Sequence, residues 1–353
     1  MKQILGGALL QLIMGALLKA FAPVSWGLEG LLGWSSYTVI GLFLMVGLQI
    51  HLKKFAKDLG LCAVLVLVTT LVPMVFFYYM GLGFGLDHLG SLTVAVVLTT
   101  TGTGVTIQTL LNLGMLHSRA GQFLTLVSAL DDIPATMFMT YLLFQNKTEV
   151  VTTSGSGIEL YLIAGAVVSF VFIHLVKNRW GLSLLFLIFS ICVAKFLEGH
   201  HVSAVMGGLF AGFFLSFILG DKVDITEEPL DKMLKPLLPF YMIFIGMKLS
   251  PEILTSSRAL IMSVSLVVVA VISKYVCTYY LMKKREDLSP KVISWGMVPR
   301  GIPGFAFASA SVAGGLISQE TFTILVLVVS VSTWIGLLGL EVTLRDKVLR
   351  HTT

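Results

Sequence analysis

Two adjacent aspartates, Asp131 and Asp132, stand in the stretch SALDDIPA, flanked by the apolar runs GQFLTLV and TMFMTYLLF. A carboxylate at the centre of a bilayer costs about 3 kcal/mol on insertion scales, and such groups mark ion or proton pathways. Successive residues of a helix point about 100° apart, so the two carboxylates cannot share one small site equally. One is expected to face a water-filled cavity, the other a neighbouring helix. Lys274, in VVVAVISKYVCTYYLMKK, lies too far inside Lys283 and Lys284 to reach the membrane surface in comfort. A buried ammonium needs an anionic partner, and Asp131 or Asp132 is the expected one.

Two further stretches carry groups suited to ions. TTTGTGVT, Thr99 to Thr106, is too rich in threonine and glycine for a stable helix. It would offer a cation freed carbonyls and threonine hydroxyls. VPRGIPGFAF, Val298 to Phe307, carries Arg300 among Pro299, Gly301, Pro303 and Gly304, and these four should break a helix. Broken backbone at membrane depth survives only where protein or a water-filled cavity surrounds it. The bland alternatives are small-residue helix packing for the first stretch and a kinked, continuous helix for the second.

The elements that must position these residues are membrane spans. The chain has 353 residues, 56% of them hydrophobic and 12% charged, with a mean hydropathy of +0.93. Soluble domains carry roughly 25% charged residues. Twelve candidate spans run over 4–22, 35–50, 59–83, 91–112, 120–144, 158–176, 181–196, 202–219, 233–249, 259–282, 291–314 and 319–342. Of the 24 basic residues, 16 fall at the termini or after even-numbered spans and 3 on the opposite side. By the positive-inside rule both termini are cytoplasmic. The net charge of +5 therefore reflects topology, and no nucleic-acid partner is expected. The loop 220–232, GDKVDITEEPLDK, is the expected boundary between two halves.

Other chemistries fit poorly. Cys62, Cys192 and Cys277 lie in apolar runs without CxxC spacing, and the seven histidines form no HExxH pattern. No cofactor or enzymatic activity is expected. An intramembrane aspartyl protease would need its aspartates on separate helices, and GFGLD, Gly83 to Asp87, lacks the required spacing. The order of the unusual spans is more telling. A broken span precedes the charged span carrying Asp131 and Asp132, and a broken span follows the one carrying Lys274. Interrupted segments in corresponding positions of two halves point to a transport site formed by inverted repeats.

With these stretches in hand, the chain resembles the monovalent cation:proton antiporter-2 family. SALDDIPA resembles its double-aspartate motif and ISKYV its lysine-bearing helix. TTTGTGVTIQTLLNLGML resembles its unwound helix, GMVPRGIPGFAFA its Arg-Gly motif, and LFLMVGLQIHLKKF a further helix motif. Gln49, His51, Ile302 and Pro303 depart from the family pattern. The first of the thirteen helices found in many relatives is expected to have no counterpart.

The resemblance implies an all-α polytopic membrane protein of two inverted repeats with crossing discontinuous helices. It implies exchange of Na⁺, Li⁺ or K⁺ for protons. Asp132 would bind the cation in competition with protons, and Asp131 would pair with Lys274 in the cation-free state. Thr101, Thr103 and Thr106 would lie near the ion, with Gly104, Pro299, Arg300, Gly301 and Pro303 at the crossing. A core subdomain of 59–144 plus 258–342 would move against a dimerising panel of 1–58 plus 181–249, with 158–176 as linker. The protein is thus expected as a homodimer in the inner cell membrane. The alternatives are a sodium-coupled symporter or channel of similar fold, or a membrane sensor that no longer transports.

Overall fold

The structure is a computed structural model that describes residues 10–18, 37–38, 40–41, 43–45, 47–48, 58–116, 118–146, 156–199, 204–219, 221–234, 236–250, 252–253 and 256–352. The described residues form helices and short connections, with no strand among them. A backbone crossing hydrocarbon must satisfy its own polar groups, which an α-helix does within one segment. From Leu59 onward, the α-helices among the described residues are α1 (Leu59–Gly83), α2 (His88–Thr99), α3 (Thr103–Asn112), α4 (Arg119–Asn146), α5 (Ser156–Leu175), α6 (Arg179–Gly199) and α7 (Ala204–Leu219). They continue as α8 (Asp221–Leu234), α9 (Leu237–Met247), α10 (Ser257–Met282), α11 (Pro290–Met297), α12 (Gly301–Ala313) and α13 (Gln319–Thr352). Six helical stretches among the described residues are long and apolar enough to cross a membrane, and the chain is an integral membrane protein.

Both expected interruptions are present. The fourth span divides into α2 and α3 around Thr100–Gly102, and the eleventh into α11 and α12 around Val298–Arg300. Of the expected first and second spans, residues 10–18, 37–38, 40–41, 43–45 and 47–48 are described, and all of them are helical. Of the loop expected over 220–232, residues 221–232 are instead helical, as part of α8. Val223, Thr226, Leu230 and Leu234 recur at helical spacing and are buried, which outweighs the charges of the stretch and the Pro229 within it. The ninth span is correspondingly shorter, as α9. The last helix runs beyond Val342 to Thr352.

The chain divides into two compact units, one built on Phe55–Leu142 and Leu249–Thr353, the other on Gly7–Lys54 and Leu143–Lys248. In the first, α1 packs on α2 and α10, while α10 also packs on α11 and α13. An apolar cluster joins Leu65 of α1, Leu110 of α3, Phe123 and Val127 of α4, Ile293 and Met297 of α11, and Leu340 of α13. In lipid, such packing holds by dispersion and fit rather than by expelling water. The second unit has its own cluster, with Phe186 of α6, Leu215 of α7 and Leu230 of α8.

Helix α10 shows how the fold aims its polar residues. Leu260, Val264, Val268, Ile272 and Val276 are exposed, forming an apolar stripe suited to acyl chains. Ala259, Met262, Leu266, Ala270, Lys274 and Thr278 form the buried face. Lys274 is therefore directed into the unit by the same periodicity that presents valines to lipid.

Candidate functional site

All the charged candidates converge inside the first unit. Asp131, Asp132, Lys274 and Arg300 have no exposed side-chain surface. Lys274 Nζ lies 2.5 Å from Asp131 Oδ2. The same ammonium donates to the Thr99 carbonyl at the end of α2. Arg300 Nη1 donates to the next carbonyl, Thr100, at 3.2 Å. Two cations thus meet the carbonyl end of a half-helix, where the backbone dipole is negative. Arg300 Nη2 donates to the Ala270 carbonyl at 2.9 Å, and its guanidinium lies over the Phe77 ring at 5.7 Å.

The two aspartates stand in different surroundings. Asp131 Oδ2 accepts from the Thr101 hydroxyl at 2.5 Å as well as from Lys274. Its Oδ1 is approached by the hydroxyls of Thr69 at 3.3 Å and Thr70 at 3.1 Å. This carboxylate is surrounded by donors. Asp132 Oδ2 accepts from the Thr103 hydroxyl at 3.3 Å, at the start of α3, where the helix dipole favours an anion. Asp132 Oδ1 accepts no hydrogen bond among the described residues. A buried carboxylate oxygen without a donor is costly unless it meets a proton or a cation. The donor set fits a small monovalent cation: a carboxylate oxygen, hydroxyls and the open backbone of a broken helix, all hard oxygens.

The broken helices cross backbone to backbone. Gly102 N–H donates to the Pro299 carbonyl at 2.5 Å. A Cβ on Gly102 would lie 2.8 Å from Gly301 N and 2.9 Å from the Arg300 carbonyl carbon. Gly301 has φ +50°, a left-handed conformation that favours glycine. The freed donors beside it are satisfied, because Arg300 N–H and Gly301 N–H both donate to the Thr333 hydroxyl of α13. Pro303 sits in the first turn of α12, where a missing N–H costs little. Pro299 rests against Gly336 of α13.

Two expected roles need adjustment. The close approach belongs to Gly102, since a Cβ on Gly104 would meet nothing within 4 Å. The break spans Thr100–Gly102, at the start of the stretch Thr99–Thr106. Thr106 gives its hydroxyl to the Gly296 carbonyl of α11 at 3.1 Å, bracing two half-helices. Three residues at the site were not anticipated: Thr69, Thr70 and Thr333. The pair of threonines in VLVTTLVP was the available signal for the first two. For Thr333 it was the hydroxyl cluster of VVSVSTW, Ser330, Ser332 and Thr333.

Comparison with known proteins agrees with this architecture. The high-affinity Na⁺/H⁺ antiporter NhaS3 of Synechocystis sp. is 27% identical over 321 residues, spanning 86% of this chain and 69% of that protein. The Na⁺/H⁺-K⁺ antiporter GerN of Bacillus cereus is 24% identical over 317 residues, spanning 85% and 80% respectively. In three dimensions the chain is similar to the sodium proton antiporter MjNhaP1 of Methanocaldococcus jannaschii. The TM-score is 0.65 at 14% identity, over 97% of this chain and 90% of that one; at that identity the likeness concerns the fold. The sodium/hydrogen exchanger transmembrane family matches residues 2–345, and the chain belongs to that family.

Proposed function

We propose that the protein is a secondary antiporter exchanging Na⁺, or Li⁺ or K⁺, for protons by alternating access. Family membership and the names of the relatives support the reaction class. The observation that carries the mechanism is the inequality of the two aspartates. Asp131 is saturated by Lys274 and hydroxyls, whereas Asp132 keeps one buried oxygen without a donor. Asp132 is the exchange site, holding either a cation or a proton, never both. Asp131 answers Lys274 in the cation-free state and releases it when the cation arrives. Thr101 and Thr103 lie near the ion, and Thr106 braces α3 against α11. Arg300 offsets the carbonyl end of α2 throughout.

The unit containing the site serves as the moving core, and the other unit as the panel through which a homodimer forms. Both termini face the cytoplasm, in the inner cell membrane. The test is proton movement in everted vesicles, followed with a pH-sensitive dye on addition of Na⁺, Li⁺ or K⁺. The wild-type protein should collapse an imposed pH gradient, and Asp132→Asn should not. Robust Na⁺-driven proton flux in Asp132→Asn would sink the assignment.

A further inference from the structure

The two oxygens of Asp131 are served by different elements. Oδ2 meets the two groups nearest the proposed ion path, Thr101 in the broken segment and Lys274 on α10. Among the described residues, Oδ1 has two hydroxyls of α1 within hydrogen-bond reach, those of Thr69 and Thr70. Helix α1 contributes no charge to the cluster, so these hydroxyls are its chemistry there.

The two threonines are not equivalent. A threonine hydroxyl has one proton to give. Thr69 Oγ1 lies 2.8 Å from the Leu65 carbonyl and 3.3 Å from Asp131 Oδ1. Its proton rests on Leu65, with the carboxylate as a second acceptor within reach. Thr70 lies 3.1 Å from Asp131 Oδ1 and is the steady donor. Pro73 follows in the same helix and cannot bond the Thr69 carbonyl, so α1 is locally open beside the pair.

We propose that Thr69 and Thr70 form a hydroxyl rest for Asp131, which holds Oδ1 in place while Oδ2 is passed between Lys274 and the transported cation. Thr70 donates in both states. Thr69 turns its proton from the Leu65 carbonyl to Asp131 when Lys274 withdraws, supplying a donor at the moment one is lost. The pair acts through Asp131 as positioning residues, and so sets the cation concentration at which Lys274 is displaced. This inference rests on the exchange function proposed above.

The test uses full-length protein in proteoliposomes, with the Na⁺ half-saturation (KM) and kcat of exchange measured for wild type, Thr70→Val, Thr69→Val, the double valine variant and the two serine variants. Valine keeps the shape and removes the donor. The double valine variant should raise KM by about tenfold with kcat little changed, the scale of one hydrogen bond to a charged group. Serine at either position should restore KM to near the wild-type value, because it restores the hydroxyl. Thermal unfolding of each purified variant identifies any that fails to fold, and for such a variant the serine and single valine proteins carry the comparison. An unchanged KM in folded valine variants, or an equal loss in serine and valine variants, overturns the hydroxyl rest while leaving the exchange function standing. Absence of Na⁺-driven proton flux in the wild-type protein overturns both.

Discussion

Asp131 and Lys274 form a fully buried ion pair, and removing one partner of such a pair strands the other. Lys274→Met should therefore destabilise the protein by about 3–5 kcal/mol near neutral pH, read as a fall in Tm of the purified protein. Pairing that change with Asp131→Asn should recover much of the loss, because both charges are then gone. A double variant no more stable than Lys274→Met would show that the pair carries no such energy. The charged residues of the site were legible because a charge in an apolar run is costly and so stands out. The tertiary partners of Thr69 and Thr333 were not, because each also bonds the carbonyl four residues back. That habit is general for threonine in apolar helices and leaves no trace of a second partner in the sequence.

At the scale of elements, the crossing of the two broken helices depends on backbone contact at Gly102. The atoms that a Cβ there would strike are backbone atoms of Arg300 and Gly301, which have no flexible end to move aside. Gly102→Ala should cost about 1–3 kcal/mol and reduce exchange sharply. Gly104→Ala, facing open space, should change stability by no more than about 0.5 kcal/mol. Equal effects from the two substitutions would place the crossing elsewhere. Glycine and threonine density announced that the span breaks. It did not say which glycine takes the contact, because that depends on the partner segment Pro299–Gly301, distant in sequence. Helix α8 was not legible for a related reason. Its residues 223, 226, 230 and 234 acquire meaning only against their own unit, where Ser183 of α6 donates to the Thr226 carbonyl at 3.0 Å.

For the whole molecule, the question is which charges govern the response to pH. Outside the spans, Asp287 faces Arg285 at 3.1 Å and Arg119 at 3.1 Å, and Arg285 also reaches Asp58 at 3.3 Å. The hydrogen bond from Arg285 holds the Asp287 carboxyl below its ordinary value. A depressed carboxyl contributes stability above its unfolded value, near pH 3.9, and loses it only as pH falls through the lower folded value. Between about pH 6 and 9 its charge is constant. Asp287→Asn should therefore leave the shape of the exchange–pH profile unchanged over that range, and a displaced profile would assign Asp287 a part in sensing. On the proposed mechanism the pH response belongs instead to competition at Asp132. The direct measurement is the Na⁺ concentration for half-maximal exchange in proteoliposomes at a series of pH values. Competition predicts that this concentration rises about tenfold per pH unit on the acid side while the maximal rate at saturating Na⁺ is preserved. A half-saturation that stays constant while the maximal rate falls would contradict a single site shared by Na⁺ and the proton.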